Sequence, residues 1–279
     1  MRIPLTGEPK QIVLRVEEVH RSFREGARAL EVLCGITLKV SRGELTLLMG
    51  PSGSGKTTLL TIMGLLLKPT AGRVILLGRD VTDLSESALP ALRRRHIGFI
   101  FQSFNLLSAL NAAENVEVTL ALQGSSGRRA RQRALELLDR VGLADRWHHR
   151  PEELSGGEKQ RVAVARALAS PAELILADEP TGNLDSRIST QVVELLRQLA
   201  HEQNRAVLIV THDQSLRRLA DRVTCLRDGR LADNGLELTS QAGTLTASQP
   251  EADRLFVVRS PSVDPFGRKM GADRAHIPG

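Results

Sequence analysis

The sequence predicts an α/β protein with a largely parallel core sheet that helices cover on both faces. Two observations predict this fold. Short apolar runs alternate with segments of helical periodicity, and a glycine-rich loop stands between one such run and a helix. Functional groups in such folds lie beyond the carboxyl ends of the strands. We therefore look for ligand-binding residues directly after the apolar runs.

The elements follow in chain order. Alternating or continuous apolar residues predict strands, and i, i+3, i+4 spacing of apolar residues predicts helices. Residues 112–150 change to a mainly helical pattern, which we interpret as a helical insertion in the α/β core. The predicted strands are 12–16, 36–40, 45–49, 74–77, 97–101, 174–177 and 207–210, and the predicted helices are 57–64, 158–169 and 188–201.

The domain boundaries follow from composition. Pro4, Gly7 and Pro9 indicate a tail at residues 1–10, and the α/β pattern then extends over 11–236 as one domain. Beyond it, prolines among Ser, Thr and Gly predict a flexible extension at 237–279, in which 255–258 could form a strand.

Composition excludes few functions. The net charge is +6 and the sequence pI is about 10.0, but acids and bases alternate along the chain, which favours a solvated mixed-charge surface over a nucleic-acid site. Cys34 and Cys225 stand in apolar runs and are interpreted as buried thiols. No run approaches the roughly 18 apolar residues of a membrane span, and the N-terminus lacks a signal-peptide pattern. We therefore expect a cytoplasmic protein without direct membrane insertion.

A phosphate-binding loop follows the third strand. Gly50-Pro51-Ser52-Gly53-Ser54-Gly55-Lys56-Thr57 fits the pattern G-x-x-x-x-G-K-[ST], with a strand before it and a helix after it. Glycines let backbone amides turn toward a phosphate, and the helix directs its positive end to the same place. Lys56 can bridge the β- and γ-phosphates, Thr57 can ligate Mg²⁺, and Thr58 stands next to them.

A pair of acids ends the run at 174–177. A buried strand that delivers Asp178 to its carboxyl end places a carboxylate where Mg²⁺ would sit, and Glu179 can position and polarise the attacking water. The alternative is a strand that simply ends in two solvated acids. The presence of the phosphate loop in the same chain favours the functional interpretation over this alternative. The pair therefore predicts NTP hydrolysis.

A third glycine-rich segment, Leu154-Ser155-Gly156-Gly157-Glu158-Lys159-Gln160-Arg161, opens a predicted helix. Ser155 with Glu158 fits a capping box, and Gly156 and Gly157 leave the amides at the helix N-terminus bare. By itself this would be an ordinary capped helix. Together with the phosphate loop it indicates a second anion-binding surface.

These segments together resemble the ABC ATPase family over about residues 11–235. The resemblance implies an antiparallel β subdomain, an α-helical subdomain at about 103–170, and two ATP molecules sandwiched between two copies. The Ser155–Gly157 segment of one copy would close on ATP in the other. It also implies roles for Gln102 as a sensor of Mg²⁺ and the γ-phosphate, for Asp185 in the D-loop, and for His212 as the switch histidine. Phe23 occupies the expected place of the adenine-stacking aromatic, usually Tyr, and the chain has no Tyr.

Finer resemblance is to the lipoprotein-release (LolD) and macrolide-export (MacB) ATPases, and it rests on segments 93–102, 114–116, 149–154 and 177–185. It implies ATP and Mg²⁺ as ligands, an integral membrane permease as partner, and a place at the cytoplasmic face of the cell membrane. Segment 103–107 offers apolar groups either for that partner or for the helical core. Two alternatives stay open, a regulator similar to the cell-division ATPase FtsE and a soluble nucleic-acid or ribosome ATPase.

Overall fold

The computed structural model describes residues 10–26 and 28–237. The predicted tail at 1–10 (except Lys10), the predicted extension at 237–279 (except Glu237) and the possible strand at 255–258 lie outside this part of the chain. The described residues form one compact unit.

The core is a sheet of six strands in the order β10-β9-β3-β8-β7-β6. The pairs β9-β3, β3-β8, β8-β7 and β7-β6 are parallel, whereas β10 runs antiparallel to β9 at the edge. This confirms the largely parallel sheet. The strands are β3 (Glu44–Met49), β6 (Ile97–Phe101), β7 (Leu174–Asp178), β8 (Ala206–Thr211), β9 (Arg222–Arg227) and β10 (Arg230–Glu237).

Both faces of this sheet are covered. In β3, Leu45 and Leu47 point into one hydrophobic cluster and Leu48 into the other, as the two-residue repeat of a strand requires. All six residues of β3 and all six of β8 are buried. Strands that are buried on both faces consist of nearly continuous apolar residues. Such runs are easily recognised, so the predicted positions of these strands agree well with the structure.

A second, antiparallel sheet covers one of these faces, with strand order β2-β1-β4-β5. It confirms the antiparallel subdomain that the resemblance implied. Its strands are β1 (Ile12–Glu25), β2 (Arg28–Ser41), β4 (Ala71–Leu76) and β5 (Arg79–Asp80). The first strand continues far beyond the predicted 12–16. Its pairing register with β2 shifts around Glu18, whose φ is 47°. This irregularity breaks the alternation on which the prediction depended.

Six α-helices complete the described fold. Helices α3, α4 and α5 pack against one another beside the sheet and contribute, with α6, to one hydrophobic cluster, while α1 contributes to the other. Helix α2 and strand β5 were not predicted. The helices are α1 (Lys56–Met63), α2 (Leu89–His96), α3 (Ala112–Leu122), α4 (Gly127–Arg140), α5 (Gly156–Leu168) and α6 (Ser186–Glu202).

The predicted helical insertion at 112–150 is mainly helical. Helices α3 and α4 extend through it to Arg140, and its remaining residues contain one short 3-10 turn at Ala144–Arg146, with a second turn following at Pro151–Glu153. Among the described helices, none combines the length and apolar character that a membrane crossing requires. Cys34 and Cys225 are free thiols, but they are half-buried rather than buried as interpreted from the sequence. Each lies on a strand with one partly open side.

The segment after β6 has a fixed irregular shape. Phe104 and Asn105 have φ of 62° and 48°, in the left-handed region. Further along, the fully buried side chain of Asn115 accepts a hydrogen bond from the Leu107 amide at 2.8 Å and donates to the Leu107 and Leu110 carbonyls. Leu106 packs on the helical core, whereas the Leu107 side chain is 49% exposed. Leu106 therefore fits the helical-core interpretation, whereas contact of the exposed Leu107 with a partner stays a prediction.

Candidate nucleotide-binding site

The candidate residues lie together at the carboxyl ends of the strands of the core sheet. Four parallel strands end there, and each is followed by a predicted site residue. Phe101 lies opposite Asp178, Asp178 opposite Val210, and Val210 opposite Leu48, so the four strand ends are aligned. The segments that follow them are the phosphate loop (50–57), Gln102, Glu179 and His212.

The phosphate loop requires glycine at two places. A Cβ atom on Gly50 would lie 2.1 Å from the Leu226 carbonyl oxygen, and one on Gly55, whose φ is 98°, would lie 2.9 Å from the Val32 carbonyl oxygen. The loop is thus held against strands of both sheets, in a tight turn in which the Ser54 amide donates to the Pro51 carbonyl at 3.3 Å. Pro51, Ser52 and Gly53 are exposed at its tip.

Two buried side chains of the loop are of the types that bind phosphate, Ser54 and Lys56. The Lys56 ammonium is buried and donates to the Gly50 and Pro51 carbonyls at 3.0 and 2.8 Å. The Ser54 hydroxyl is buried and has no hydrogen-bond partner within the described residues. A buried polar group without a partner is costly, so a bound phosphate oxygen would fit here. Thr57 is exposed and Thr58 is half-buried in the first turn of α1.

Two oxygen ligands of the type that Mg²⁺ prefers face each other beside the loop. The Thr57 hydroxyl donates to the Asp178 carboxylate at 3.2 Å. Burial raises the pKa of Asp178, and the charge of Glu179 raises it further, while the hydrogen bond from Thr57 and the charge of Lys56 lower it. A cation in this position would relieve the cost of the buried charge, so the donor set fits Mg²⁺.

We predict that Asp178→Asn raises the melting temperature of the nucleotide-free protein in chelator, by roughly 1–3 °C. A raised pKa means that the folded state binds the proton more tightly than the unfolded chain does. The stability that this carboxyl contributes therefore falls as the pH rises through its pKa, and at neutral pH its charge destabilises the fold. Asn removes the charge and keeps an acceptor for Thr57. Thermal unfolding checks this against the exposed Asp145→Asn, and a lower melting temperature would contradict it.

Glu179 and His212 form a hydrogen-bonded pair beside the loop. The imidazole Nδ1 of His212 lies 2.9 Å from the Glu179 Oε1, and the His212 side chain is 66% exposed whereas that of Glu179 is 16% exposed. The second oxygen of Glu179 is buried and has no partner within the described residues. Glu179 also has a φ of 44°, and its amide donates to the Val210 carbonyl at 2.9 Å. Such backbone strain costs about 1–3 kcal/mol and commonly accompanies functional sites.

Gln102 lies beside this pair. Its main-chain carbonyl accepts a hydrogen bond from the Asn183 side chain at 3.3 Å. A Cβ atom on Gly182 would come within 2.7 Å of the Gln102 side-chain nitrogen, so the absence of a side chain there lets the amide pass. The segment after β7 thus contacts the residue after β6.

The Ser155–Gly157 segment begins α5 as predicted. The Ser155 hydroxyl accepts from the Glu158 amide at 3.3 Å, and the Glu158 carboxylate accepts from the Ser155 amide at 2.8 Å. The atoms nearest to a Cβ on Gly156 or Gly157 belong to Asn183, Leu184 and Ile188. Asp185 caps α6 by accepting from the Arg187 and Ile188 amides at 3.0 Å each.

Comparison with known proteins then places the chain. A model described as ABC transporter matches residues 33–182, which is more than half of the sequence. The chain is 48% identical over 221 residues to the lipoprotein-releasing system ATP-binding protein LolD 1 of Rhodospirillum rubrum, covering 79% of this chain and 98% of that protein. The chain belongs to the ABC transporter family. It is an ATP-binding and ATP-hydrolysing cassette of that family.

Two further comparisons support this. The chain is 47% identical over 227 residues to the macrolide export ATP-binding/permease protein MacB of Brucella melitensis, covering 81% of this chain but only 34% of that protein. It thus spans about a third of such relatives. A dimeric ATP-binding cassette solved in a post-hydrolysis state with ADP and phosphate matches with a TM-score of 0.74 at 41% identity, covering 78% of this chain and 96% of that one. These findings confirm the predicted LolD/MacB branch.

Phe23, the predicted adenine-stacking residue of this ABC cassette, lies on β1 opposite Leu30 and is 37% exposed. The Arg21 guanidinium lies 4.6 Å from the centre of its ring. One ring face is therefore occupied by a cation, and the adenine contact stays a prediction. In the described part of the cassette, no group of three or more His, Cys, Asp or Glu side chains could hold a metal ion.

The contacts that support the phosphate loop on the side of β9 and β10 were not predicted from the sequence. The Gly229 amide, in the turn between β9 and β10, donates to the Ser54 carbonyl at 3.3 Å, and the Gly229 carbonyl accepts from the Cys34 amide at 2.8 Å. A single glycine in a turn carries no signal for such a contact. Nor did the pattern single out Arg166, which contacts the segment after Gln102.

Proposed function

We propose that the chain is the separate ATPase subunit of a transporter, and that it powers export or extraction of a substrate through an integral membrane permease. The observation that carries this proposal is the 48% identity to LolD 1, a protein named as the ATP-binding protein of a lipoprotein-releasing system, over 98% of that protein. The cassette would then lie at the cytoplasmic face of the cell membrane, attached through that permease.

In this proposal the phosphate loop and Lys56 bind the phosphates of ATP. The Lys56 ammonium, now held by loop carbonyls, turns to the β- and γ-phosphates when they arrive. Phe23 stacks on adenine. Thr57, Asp178 and Gln102 would hold Mg²⁺, which when bound supplies a charge that offsets the negative phosphates.

Glu179 acts as the general base. Its unpaired buried oxygen accepts a proton from a water molecule whose oxygen attacks the γ-phosphorus, and the bond from that phosphorus to the bridging oxygen of ADP breaks. His212 holds the other carboxylate oxygen, which orients the base. Gln102 reports whether the γ-phosphate is present.

A second copy completes the site. The Ser155 hydroxyl and the bare Gly156 and Gly157 amides of one subunit donate hydrogen bonds to the γ-phosphate bound by the other, and Asp185 lies at the same junction. ATP therefore favours the closed homodimer, and hydrolysis removes the bridging phosphate and allows reopening. The dimeric cassette among the structural relatives supports this arrangement.

The test is affinity purification of the tagged cassette from detergent-solubilised membranes, with and without ATP, and identification of the copurifying proteins. We expect a multi-span partner with a large extracytoplasmic domain, and ATPase activity that the partner stimulates. Recovery of an envelope enzyme complex without transport would indicate the regulator similar to FtsE. Recovery of ribosomes or DNA alone would contradict the membrane role.

A further inference from the structure

We propose that Arg166 is a positioning residue for Gln102, which it controls by clamping the main chain that follows it. This inference rests on the role proposed for Gln102. Arg166 lies in the last turn of α5, the helix that begins at the Ser155–Gly157 segment. Its guanidinium reaches across to the irregular segment between β6 and α3.

The clamp consists of two hydrogen bonds to adjacent carbonyls. The Arg166 Nη2 donates to the Phe104 carbonyl at 2.8 Å, and the Nη1 donates to the Asn105 carbonyl. A planar guanidinium is suited to such paired recognition, because its donors have a fixed spacing. None of the ion pairs among the described residues includes Arg166. The two carbonyls are therefore the groups that stabilise the charge of its guanidinium.

The residues that Arg166 holds have a strained backbone. Phe104 and Asn105 both have positive φ, a conformation that costs about 1–3 kcal/mol for a residue such as Phe104 and that Asn tolerates better. Two charge-assisted hydrogen bonds are sufficient to offset much of this cost. Without them the segment is expected to relax, and the strain begins only two residues after Gln102.

The arrangement divides the segment into two anchored parts. Asn115 of α3 fixes Leu107 and Leu110 from the helical side. Arg166 fixes the part nearer to Gln102, and Asn183 holds the Gln102 carbonyl itself. Because Arg166 belongs to α5, the loop that carries Gln102 and the helix that carries the γ-phosphate amides of the Ser155–Gly157 segment are tied together within one subunit.

Arg205 provides a matched control. It too is a half-buried arginine whose pKa is lowered by burial, and it donates to one main-chain carbonyl, that of Ser170 at 3.3 Å. It lies just before β8, at the end of the sheet opposite the site. Arg166→Met and Arg205→Met therefore remove similar groups, one at the Gln102 segment and one remote from it.

The experiment compares Arg166→Met, Arg166→Lys and Arg205→Met in the full chain. Hydrogen exchange by mass spectrometry measures peptides covering 102–107, and steady-state kinetics measure kcat and KM for ATP with Mg²⁺. We expect Arg166→Met to speed exchange in that peptide and to lower kcat by about ten- to a hundredfold with little change in KM. Arg166→Lys, which keeps the charge and one donor direction, should recover part of kcat. Arg205→Met should leave the peptide and kcat unchanged.

A second comparison separates this proposal from the role of Gln102. In a Gln102→Ala background, adding Arg166→Met should lower kcat no further, because the clamp acts through Gln102. Additive losses, or wild-type kcat in Arg166→Met alone, would overturn the proposal while leaving the proposed function intact. Wild-type kcat in Gln102→Ala would overturn the role of Gln102 in the proposed function, and this inference with it.

Discussion

Glu179→Gln is expected to lower ATP turnover by about 10²–10⁴-fold while ATP still binds. Gln has nearly the same shape but cannot accept the proton of the attacking water. The unpaired buried oxygen of Glu179 identifies the position at which that proton would be taken up. Because the γ-phosphate then persists, the closed dimer should accumulate. Single-turnover hydrolysis and gel filtration with ATP measure the two effects.

The control for this change is Glu194→Gln, the same substitution at an exposed position of α6. This control variant should have the same ATP turnover as the parent protein and the same apparent molecular mass in gel filtration with ATP. If Glu179→Gln hydrolysed ATP at the normal rate, another group would have to be the base. His212 would then be the next candidate, because it lies within hydrogen-bond distance of the same carboxylate.

Gly156→Asp should fold normally, bind ATP with nearly unchanged affinity, and fail to dimerise. The atom nearest to a new Cβ is a Leu184 methyl at 3.5 Å, which is an ordinary contact, and an acid in the first turn of α5 is favourable for the helix dipole. The same carboxylate would occupy the amides that receive the γ-phosphate of the other subunit. We expect turnover to fall at least ~100-fold. Light scattering with ATP and nucleotide-binding titration measure the separation.

Gly157→Ala is the informative contrast. Its Cβ would lie 2.7 Å from an Ile188 methyl carbon, so the change overpacks the contact between α5 and α6 and should cost about 1–3 kcal/mol of stability. Gly157 therefore packs against α6, whereas Gly156 has room for a side chain and faces the second copy only in the proposed dimer. Loss of ATP affinity in Gly156→Asp, measured on the monomer, would argue against the arrangement in which the segment acts on the other subunit.

The predictions from sequence succeeded where chemistry and burial restrict the choice of residue. The phosphate loop, the acid pair after β7 and the capped start of α5 need particular residue types at fixed spacing, and the doubly buried strands β3, β7 and β8 need continuous apolar residues. The structure brings Gln102, Glu179 and His212 close together, because each follows a parallel strand and the carboxyl ends of these strands are aligned. Their roles stay predictions for the experiments above.

Other features had no local signal. Helix α2 buries only Leu89 among its eight residues, so it lacks the apolar stripe that marks a helix. The far half of β1 is concealed by the register shift near Glu18. The Arg166 clamp joins residues about sixty positions apart through main-chain carbonyls, which have no residue identity. Such contacts are properties of the folded arrangement and not of any short segment.

The support of the phosphate loop by the turn at Gly229 has a consequence for how the protein is made. The loop belongs to the early part of the chain, but the Gly229 amide and the Leu226 carbonyl that press against it emerge near the end of the cassette. Strand β3 likewise waits for β8 and β9 as neighbours. Contacts this distant in sequence form late. A nascent chain that has reached only the start of α5 therefore contains the phosphate loop but still lacks the residues that support it.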